Sequence, residues 1–261
     1  ARRIAQSGFD RVSISLDGAD ADTHDRFRMQ IGSFDRAIAA LAHLRMLGVQ
    51  TQINCTIARH NKNQIEAVLR LAEQAGAAAV HYFLLVPVGC GEQIADDQML
   101  DAEEVENRLR LIDNLQQTTS LQIKPTCAPH YYRIIRQQAR EQRRPRSGQT
   151  RQSALHTMTR GCLAGIAVCF ISHEGKVFPC GYLPVEAGDV RRTSFGDIWR
   201  DSNLFRTLRD FTRLTGKCAI CPFRNVCGGC RARAFYEFGD YLAEEPFCAY
   251  EPGQEATTDE G

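Results

Sequence analysis

The chain has 261 residues, of which 43% are hydrophobic and 24% are charged, a composition typical of a folded globular protein. The 32 Lys and Arg residues nearly balance the 31 Asp and Glu residues, so the overall charge favours neither a nucleic-acid nor a membrane partner. No apolar run approaches the roughly 20 residues that span a bilayer, and no signal peptide opens the sequence, so we expect a cytoplasmic location.

Eleven cysteines are the unusual feature of this composition. The cytoplasm is reducing, and a chain of this length can bury a core without covalent cross-links. The thiols are therefore predicted to bind metal rather than to form a disulfide framework.

The first half of the sequence begins with a helix end and a strand. The opening decapeptide resembles the last turns of a helix closed by Gly8, and because it has no initiator Met we expect further sequence upstream. The β-branched run RVSISLDG at 11–18 predicts a buried strand followed by a turn at Asp17. Apolar residues at three- and four-residue steps then predict a helix capped by Ser33 and ended by Gly48.

The same alternation continues along the chain. Residues 49–57 have a strand pattern, a helix capped by Asn63 follows, and the run at 78–87 has the continuous apolar character of a strand covered on both faces. A helix at about 102–117 leads to a strand in LQIKPTC, residues 121–127. These repeated units predict βαβ folding and a parallel sheet.

Residues with functional groups are expected at the carboxyl ends of these strands, where α/β proteins place their sites. Ser15, Asp17, Asn54, Cys127 and the stretch 86–89 occupy such positions.

Cys127 lies in the segment PTCAPHYY, three residues before His130. Two interpretations of this segment stay open. One is an ordinary loop. The other is a catalytic, substrate-facing role for Cys127 and His130, in which His130 ligates iron or donates a proton.

The segment 133–158 is basic, with seven arginines between residues 133 and 151. We interpret it as a solvated helix and linker, and an anion-binding edge for a polycarboxylate substrate is the sharper alternative. Nucleic acid is not expected as a partner, because aromatic residues are not interleaved with the arginines.

The alternating strand and helix pattern of the first half does not continue beyond Gly161. A small hairpin is predicted around Gly175, and Ser194 is expected to cap one helix that leads to the cysteine cluster. Residues 251–261 are predicted to form a disordered tail.

Two C-x2-C pairs, Cys218/Cys221 and Cys227/Cys230, stand only five residues apart. Zinc ribbons use such pairs but usually spread them roughly 15 to 20 residues apart, so that two knuckles face each other across one ion. The observed spacing is short for that geometry, although a zinc-stabilised binding module without redox activity stays open.

The cysteines of the C-terminal part form a longer register: Cys162-x12-Gly175-x4-Cys180, then Cys218-x2-Cys221-x5-Cys227-x2-Cys230, then Cys248. This register resembles the SPASM domain, the auxiliary iron–sulfur module of many radical S-adenosylmethionine (SAM) enzymes. The resemblance covers residues 159–250.

The first half resembles the same enzymes independently, because SISLDG followed by HDRFR is similar to the fourth strand and following helix of a radical SAM barrel. The implied fold is α/β. Residues 1–132 would form the C-terminal half of a partial (β/α)6 radical SAM barrel, and 133–158 would be the linker. Residues 159–250 would form a small α+β SPASM domain.

Finer segments, LVPVG, KPTCAPHYYR, FPCGYLPVEAGDV, CGGCRARAF and GDYLAEEPFC, resemble the radical SAM enzymes of the alternative haem pathway. The haem b synthases among them imply oxidative decarboxylation of iron-coproporphyrin III propionates to vinyl groups, giving haem b. Deacetylation of didecarboxysirohaem, haem d-type synthesis, and SPASM maturation of a peptide or another cofactor stay open.

The resemblance also implies cluster ligands. One auxiliary [4Fe–4S] cluster would be bound by Cys218, Cys221, Cys227 and Cys248. A second would be bound by Cys162, Cys180 and Cys230, with its fourth ligand open between Cys169, Cys127 and the substrate. Thiolates are the usual ligands of such clusters.

Cofactor contacts follow from the same resemblance. Ser15 and Asn54 match strand-end positions that contact SAM in this family, and Asp17 is a further candidate. A capping role in the adjacent turn is the alternative for each of them.

The radical-initiating motif C-x3-C-x2-C does not occur in this sequence. We therefore expect this chain alone not to cleave SAM, and expect SAM and a further [4Fe–4S] cluster in a full-length parent. The implied partners are an iron porphyrin substrate and an electron donor such as ferredoxin or flavodoxin.

Overall fold

A computed structural model describes residues 1–141 and 160–253. The chain divides into two compact units, the first made of Ala1–Leu85 with Gly89–Cys127 and the second of Val86–Val88 with Ala128–Gly261. Residues 254–261 of the predicted tail and residues 142–158 of the predicted basic linker lie outside the described residues. No helix in the described part of the chain is long and apolar enough to cross a bilayer.

The first unit alternates strands and helices as the sequence predicts. Its strands are β1 (Arg11–Ser15), β2 (Gln50–Ile57), β3 (Ala79–Leu84) and β4 (Gln122–Thr126). Its helices are α1 (Arg2–Gln6), α2 (Ala21–Arg28), α3 (Ser33–Met46), α4 (Ile65–Ala75), α5 (Ala95–Gln98) and α6 (Ala102–Gln116), with a 3-10 turn at Gly89–Ile94.

The four strands form one sheet in the order β1-β2-β3-β4, and every neighbouring pair is parallel. This arrangement confirms the predicted α/β class. The register sets Ser15 opposite Asn54, Asn54 opposite His81, and His81 opposite Lys124. A row of polar residues therefore crosses the sheet on one face.

The two faces of the sheet differ in burial. Ile53 and Val80 are fully buried on the face against which the helices pack, and the Tyr82 hydroxyl donates a hydrogen bond of 2.8 Å to the Ile65 carbonyl in α4. On the other face His81 and Phe83 are only half-buried. Coverage of β3 on both faces stays a prediction.

Two predicted helix caps are displaced by one residue. Gly32 caps α3 with a φ of 75°, and the Ser33 hydroxyl donates instead to Asp25. Helix α4 begins after Gln64 rather than Asn63, because the preceding turn closes where the Gln64 N–H donates to the Asn61 carbonyl.

The second unit holds the C-terminal elements. Its helices are α7 (Tyr131–Glu141), α8 (Phe195–Asp201), α9 (Asn203–Arg209), α10 (Gly216–Ile220) and α11 (Arg231–Phe238), with a 3-10 turn at Phe211–Arg213. Its strands are β5 (Phe170–Ile171), β6 (Lys176–Phe178) and β7 (Gly188–Asp189), which form an antiparallel sheet in that order.

The predicted hairpin and helix cap are confirmed in this unit, with one difference. Gly175 has a φ of 80° in the β5–β6 turn, and the Ser194 hydroxyl accepts a hydrogen bond from the Asp197 N–H. The single helix predicted after Ser194 is two helices, because the backbone of Ser202 is extended (φ −55°, ψ 127°) and ends α8.

A buried carboxylate organises the turn after β1. Asp17 is fully buried, and its oxygens accept hydrogen bonds from the Thr56 N–H at 2.7 Å and the Arg28 Nε at 2.6 Å. Its own N–H donates to Nδ1 of His24, and burial lowers the pKa of that ring, which favours its neutral form. Asp17 thus joins β1, α2 and β2.

We expect the substitution Asp17→Asn to lower the free energy of unfolding by about 1.5–3 kcal/mol, because it removes a charged acceptor from two donors, Thr56 and Arg28. The matched control is Asp22→Asn, whose partner Arg26 lies in an exposed, solvent-screened pair, so that its loss should be much smaller. Urea denaturation measures both variants, and equal losses would contradict the structural role of Asp17.

Candidate metal centre

Four thiols line one cavity in the second unit. They belong to Cys218, Cys221, Cys227 and Cys248, and the cavity contains about 370 Å³ of space, part of it open to solvent. Its walls also include Arg133, Leu214, Lys217, Arg224, Gly228, Gly229, Glu245, Tyr250 and Pro252.

The segment that carries Cys227 is held by close backbone pairing. The Gly161 N–H donates to the Val226 carbonyl at 2.7 Å, and the Cys162 N–H donates to the Cys227 carbonyl at 3.0 Å. A Cβ atom at Gly161 would lie 2.5 Å from the Pro129 carbonyl oxygen, so only glycine fits at this position.

Two glycines form the turn that follows Cys227. Gly228 and Gly229 have φ values of 71° and 59°, a conformation that costs other residues free energy. The turn aims the Gly229 N–H at Sγ of Cys227, 3.4 Å away. The motif CGGC therefore supplies both a ligand and a donor to its sulfur.

Glu245 connects several parts of this site. It is 1% exposed, and its carboxylate accepts hydrogen bonds from the Cys230 N–H and, at 2.8 Å, from Nε of Arg233, which is equally buried. The Glu245 N–H lies 3.4 Å from Sγ of Cys218 as a donor, and its carbonyl accepts from the Cys248 N–H. Three cysteine segments thus meet at one residue.

The ion pair sets the charge of Glu245. Burial alone would raise the pKa of this carboxyl, but the Arg233 guanidinium outweighs burial, and the pKa falls to about 2. Glu245 is therefore ionised at neutral pH.

Burial raises the pKa of all four thiols that line the cavity. Positive charge opposes this increase, since Arg133 lowers the pKa of Cys248 and of Cys221, and Arg231 lowers that of Cys218. If these cysteines bind as thiolates, the positive charge of the bound metal group must stabilise their negative charge further.

A second set of thiols consists of Cys162, Cys180 and Cys230. Burial raises the pKa of Cys230 to about 11 and also raises that of Cys180, and in both cases the nearby Cys162 adds to the increase. The Tyr182 N–H donates to Sγ of Cys180 at 3.4 Å. Burial also raises the pKa of Cys169, whose place as the fourth ligand of this set stays a prediction.

The donor chemistry of the first set fits an iron–sulfur cluster. Its four thiols surround one cavity, and each sulfur receives a hydrogen bond from a backbone N–H group, those of Gly229, Glu245, Phe223 and Tyr250. Four thiols and N–H···S hydrogen bonds are the usual protein environment of a four-iron cluster.

The predicted SAM contacts lie in the first unit. Ser15 is exposed and Asn54 half-buried, both on the polar face of the sheet, where Asn54 accepts a hydrogen bond from Gln52. Asp17 is enclosed, and both of its carboxylate oxygens have protein donors. Contact of these residues with a cofactor stays a prediction.

The two predicted catalytic residues belong to different units. Cys127 follows β4 with a φ of 56°, a left-handed backbone that is unusual for cysteine. His130 is fully buried in the second unit. Their catalytic roles also stay predictions.

The sequence analysis did not predict that four charged residues belong to the centre: Arg133, Lys217, Arg233 and Glu245. Arg133 was interpreted as part of a solvated basic segment, although only 2% of it is exposed. The sequence could have indicated Arg233 and Glu245, because each lies three positions from a cysteine, in CGGCRARAF and in EEPFC.

Comparison with known families and proteins agrees with this geometry. The family model of the SPASM iron–sulfur cluster-binding domain matches residues 162–222. The AdoMet-dependent heme synthase of Methanosarcina barkeri is 45% identical over 97% of this chain, which spans 71% of that protein. The AdoMet-dependent heme synthase of Nitratidesulfovibrio vulgaris is 46% identical, also over 97% of this chain, which spans 68% of its length.

A solved structure of low sequence identity has the same fold. Streptococcus suis SuiB, bound to precursor peptide SuiA, superposes with a TM-score of 0.69 over 95% of this chain at 16% identity. The chain spans 55% of SuiB, so it matches just over half the length of that structure.

We expect Glu245→Gln to lower the free energy of unfolding by about 3–5 kcal/mol, because it leaves the Arg233 guanidinium buried without its counter-charge. Removing both charges in Arg233→Met with Glu245→Leu should cost less than the single change, since neither member of the pair leaves the other buried without its counter-charge. Urea denaturation of the metal-free chain measures both. A double variant less stable than Glu245→Gln would contradict this account of the pair.

Proposed function

Because this chain belongs to the family of AdoMet-dependent haem synthases, which are radical SAM enzymes with a SPASM domain, we propose that it supplies the auxiliary iron–sulfur part of such an enzyme. The proposed reaction is oxidative decarboxylation of iron-coproporphyrin III propionates to vinyl groups. The site would act in the cytoplasm with a one-electron donor such as ferredoxin or flavodoxin.

The observation that carries this proposal is the cavity lined by Cys218, Cys221, Cys227 and Cys248. We infer that these four thiols hold one [4Fe–4S] cluster. The second thiol set, Cys162, Cys180 and Cys230, would hold another, with its fourth ligand open between Cys169, Cys127 and the substrate. When bound, such clusters supply one-electron transfer, which an oxidative decarboxylation requires.

The chain's own residues prepare the first site in three ways. The buried Glu245 carboxylate fixes the backbone of Cys230, and its N–H donates to the sulfur of Cys218. The Gly229 N–H donates to the sulfur of Cys227. The deep burial of Cys227 limits its contact with water. Together these features fix ligand geometry before a metal group binds.

The polar face of the first unit's sheet supports a polar ligand such as SAM or a porphyrin carboxylate. Ser15 and Asn54 offer hydrogen-bonding groups there, and His81 and Lys124 follow in the same cross-strand row. Lys124 adds a positive charge suited to a carboxylate. This face is the proposed location for Ser15 and Asn54 to contact cofactor.

We predict about eight irons and eight sulfides per chain after anaerobic reconstitution, four of each for each thiol set. Cys221→Ala and Cys180→Ala should each remove about four irons, because each lacks a ligand of one set. Cys90→Ala is the matched control, since that thiol is exposed in the first unit and belongs to neither set. Metal analysis that finds zinc without sulfide would refute the proposal.

We predict that iron-coproporphyrin III produces a saturable change in the Soret absorbance when it is titrated into the reconstituted chain. The physical reason is that the polar sheet face offers cationic and hydrogen-bonding groups to its carboxylates. Absorbance titration gives the stoichiometry and affinity, and Lys124→Gln should weaken binding. A chain that modifies peptides, as the likeness to peptide-bound SuiB leaves open, would give no saturable Soret change.

A further inference from the structure

Arg133 occupies an unusual place for a cationic side chain. It lies in the first turn of α7, only 2% of it is exposed, and it forms part of the wall of the four-thiol cavity. An arginine is almost never buried without a specific reason, because removing its charge from water is costly. The contacts of this guanidinium indicate the reason.

Three contacts of the guanidinium show its orientation. Its Nη2 atom lies 3.6 Å from Sγ of Cys248 as a hydrogen-bond donor. Its Nη1 atom donates to Oε1 of Gln137, one helical turn away, at 2.5 Å. Its Cζ atom lies 5.1 Å from the centre of the Tyr250 ring, within the range of a cation–π interaction.

These contacts orient a permanent positive charge toward a ligand sulfur. The guanidinium remains charged at any relevant pH, and Gln137 and Tyr250 hold its plane. The other three sulfurs receive hydrogen bonds from the N–H groups of Gly229, Glu245 and Phe223, which are neutral backbone groups. Arg133 thus contributes a charge-assisted hydrogen bond to this thiol set.

Two other cations of the wall are directed elsewhere. The Lys217 ammonium donates to the Cys248 carbonyl at 2.6 Å and pairs with Glu251. The Arg224 guanidinium donates to the Ala219 carbonyl. Neither of these bonds ends on a sulfur atom, whereas the Arg133 bond does.

A cation beside a ligand sulfur changes the redox properties of a bound cluster. Reduction adds one negative charge to a cluster that already carries four thiolates, so a nearby positive charge stabilises the reduced form more than the oxidised form. Net charge and hydrogen bonds to sulfur are among the established determinants of cluster potential. The effect is large where water is excluded, because the local dielectric constant is low.

We propose that Arg133 raises the reduction potential of the iron–sulfur cluster held by Cys218, Cys221, Cys227 and Cys248, an inference that rests on the proposed function. Arg133 acts through Cys248 and is therefore a tuning residue of the centre rather than a catalytic one. Its place on α7 connects the charge of the site to the helix that follows His130.

The test is a redox titration of the reconstituted chain, followed by electron paramagnetic resonance. Replacing Cys162 and Cys180 by Ala removes the second thiol set, so that one cluster signal remains. In that background, Arg133→Gln should retain about four irons and sulfides and shift the midpoint potential to more negative values. Arg133→Lys, which keeps the charge, should shift it less.

Arg209→Gln is the matched control. The Arg209 guanidinium lies 4.7 Å from the centre of the Trp199 ring and donates to the Gly165 carbonyl, so it resembles Arg133 in its stacking but has its bond on a carbonyl oxygen. Its replacement should leave the midpoint potential of the cluster unchanged.

The outcomes separate the two proposals. An unchanged potential in Arg133→Gln with full iron content overturns the role of Arg133 and leaves the proposed function intact. Absence of iron and sulfide from the parent chain overturns the proposed function itself. If Arg133→Gln fails to hold iron, Arg133→Lys decides, because a potential close to that of the parent supports the role of the charge and a markedly more negative one refutes it.

Discussion

The burial of charge around thiols is the constraint on which the second unit depends. Glu245 and Arg233 are each about 1% exposed, and their pairing allows one carboxylate to hold the backbone of Cys230 while its own N–H reaches Cys218. Without the guanidinium the carboxylate would be too costly to bury, and without the carboxylate the cysteine segments would lose their common anchor. Thiols from distant parts of the sequence are therefore assembled by an ionic contact rather than by an apolar core alone.

The first unit has a parallel sheet whose two faces differ, since one is apolar and the other carries a row of polar side chains. Its helices cover the apolar face, and Asp17 fixes the turn after β1 from inside the fold. The polar row through Asn54 and His81 crosses the opposite face. The buried hydrogen bonds of Asp17 fix the backbone at the end of β1 and near the end of β2.

The structural features that depend on local periodicity and spacing could be predicted from the sequence. The four parallel strands, the hairpin at Gly175 and the cap at Ser194 follow from patterns within a few residues. The cap at Asn63 was wrong, because a turn closed by Asn61 decides where α4 begins. Pairs such as Arg233 with Glu245 join residues twelve positions apart in sequence and could be found only from the folded chain.

The two-glycine turn after Cys227 has a consequence for assembly. The two cysteines of a C-x2-C pair ordinarily bind the same ion. Here Cys227 lines the four-thiol cavity, whereas Cys230 lies near Cys162. Gly228 and Gly229 therefore form a two-residue bridge between the two thiol sets. The left-handed backbone of both glycines fixes the course of this bridge, so Cys227 and Cys230 are positioned together. A distortion of these two residues would therefore displace one ligand of each set at the same time.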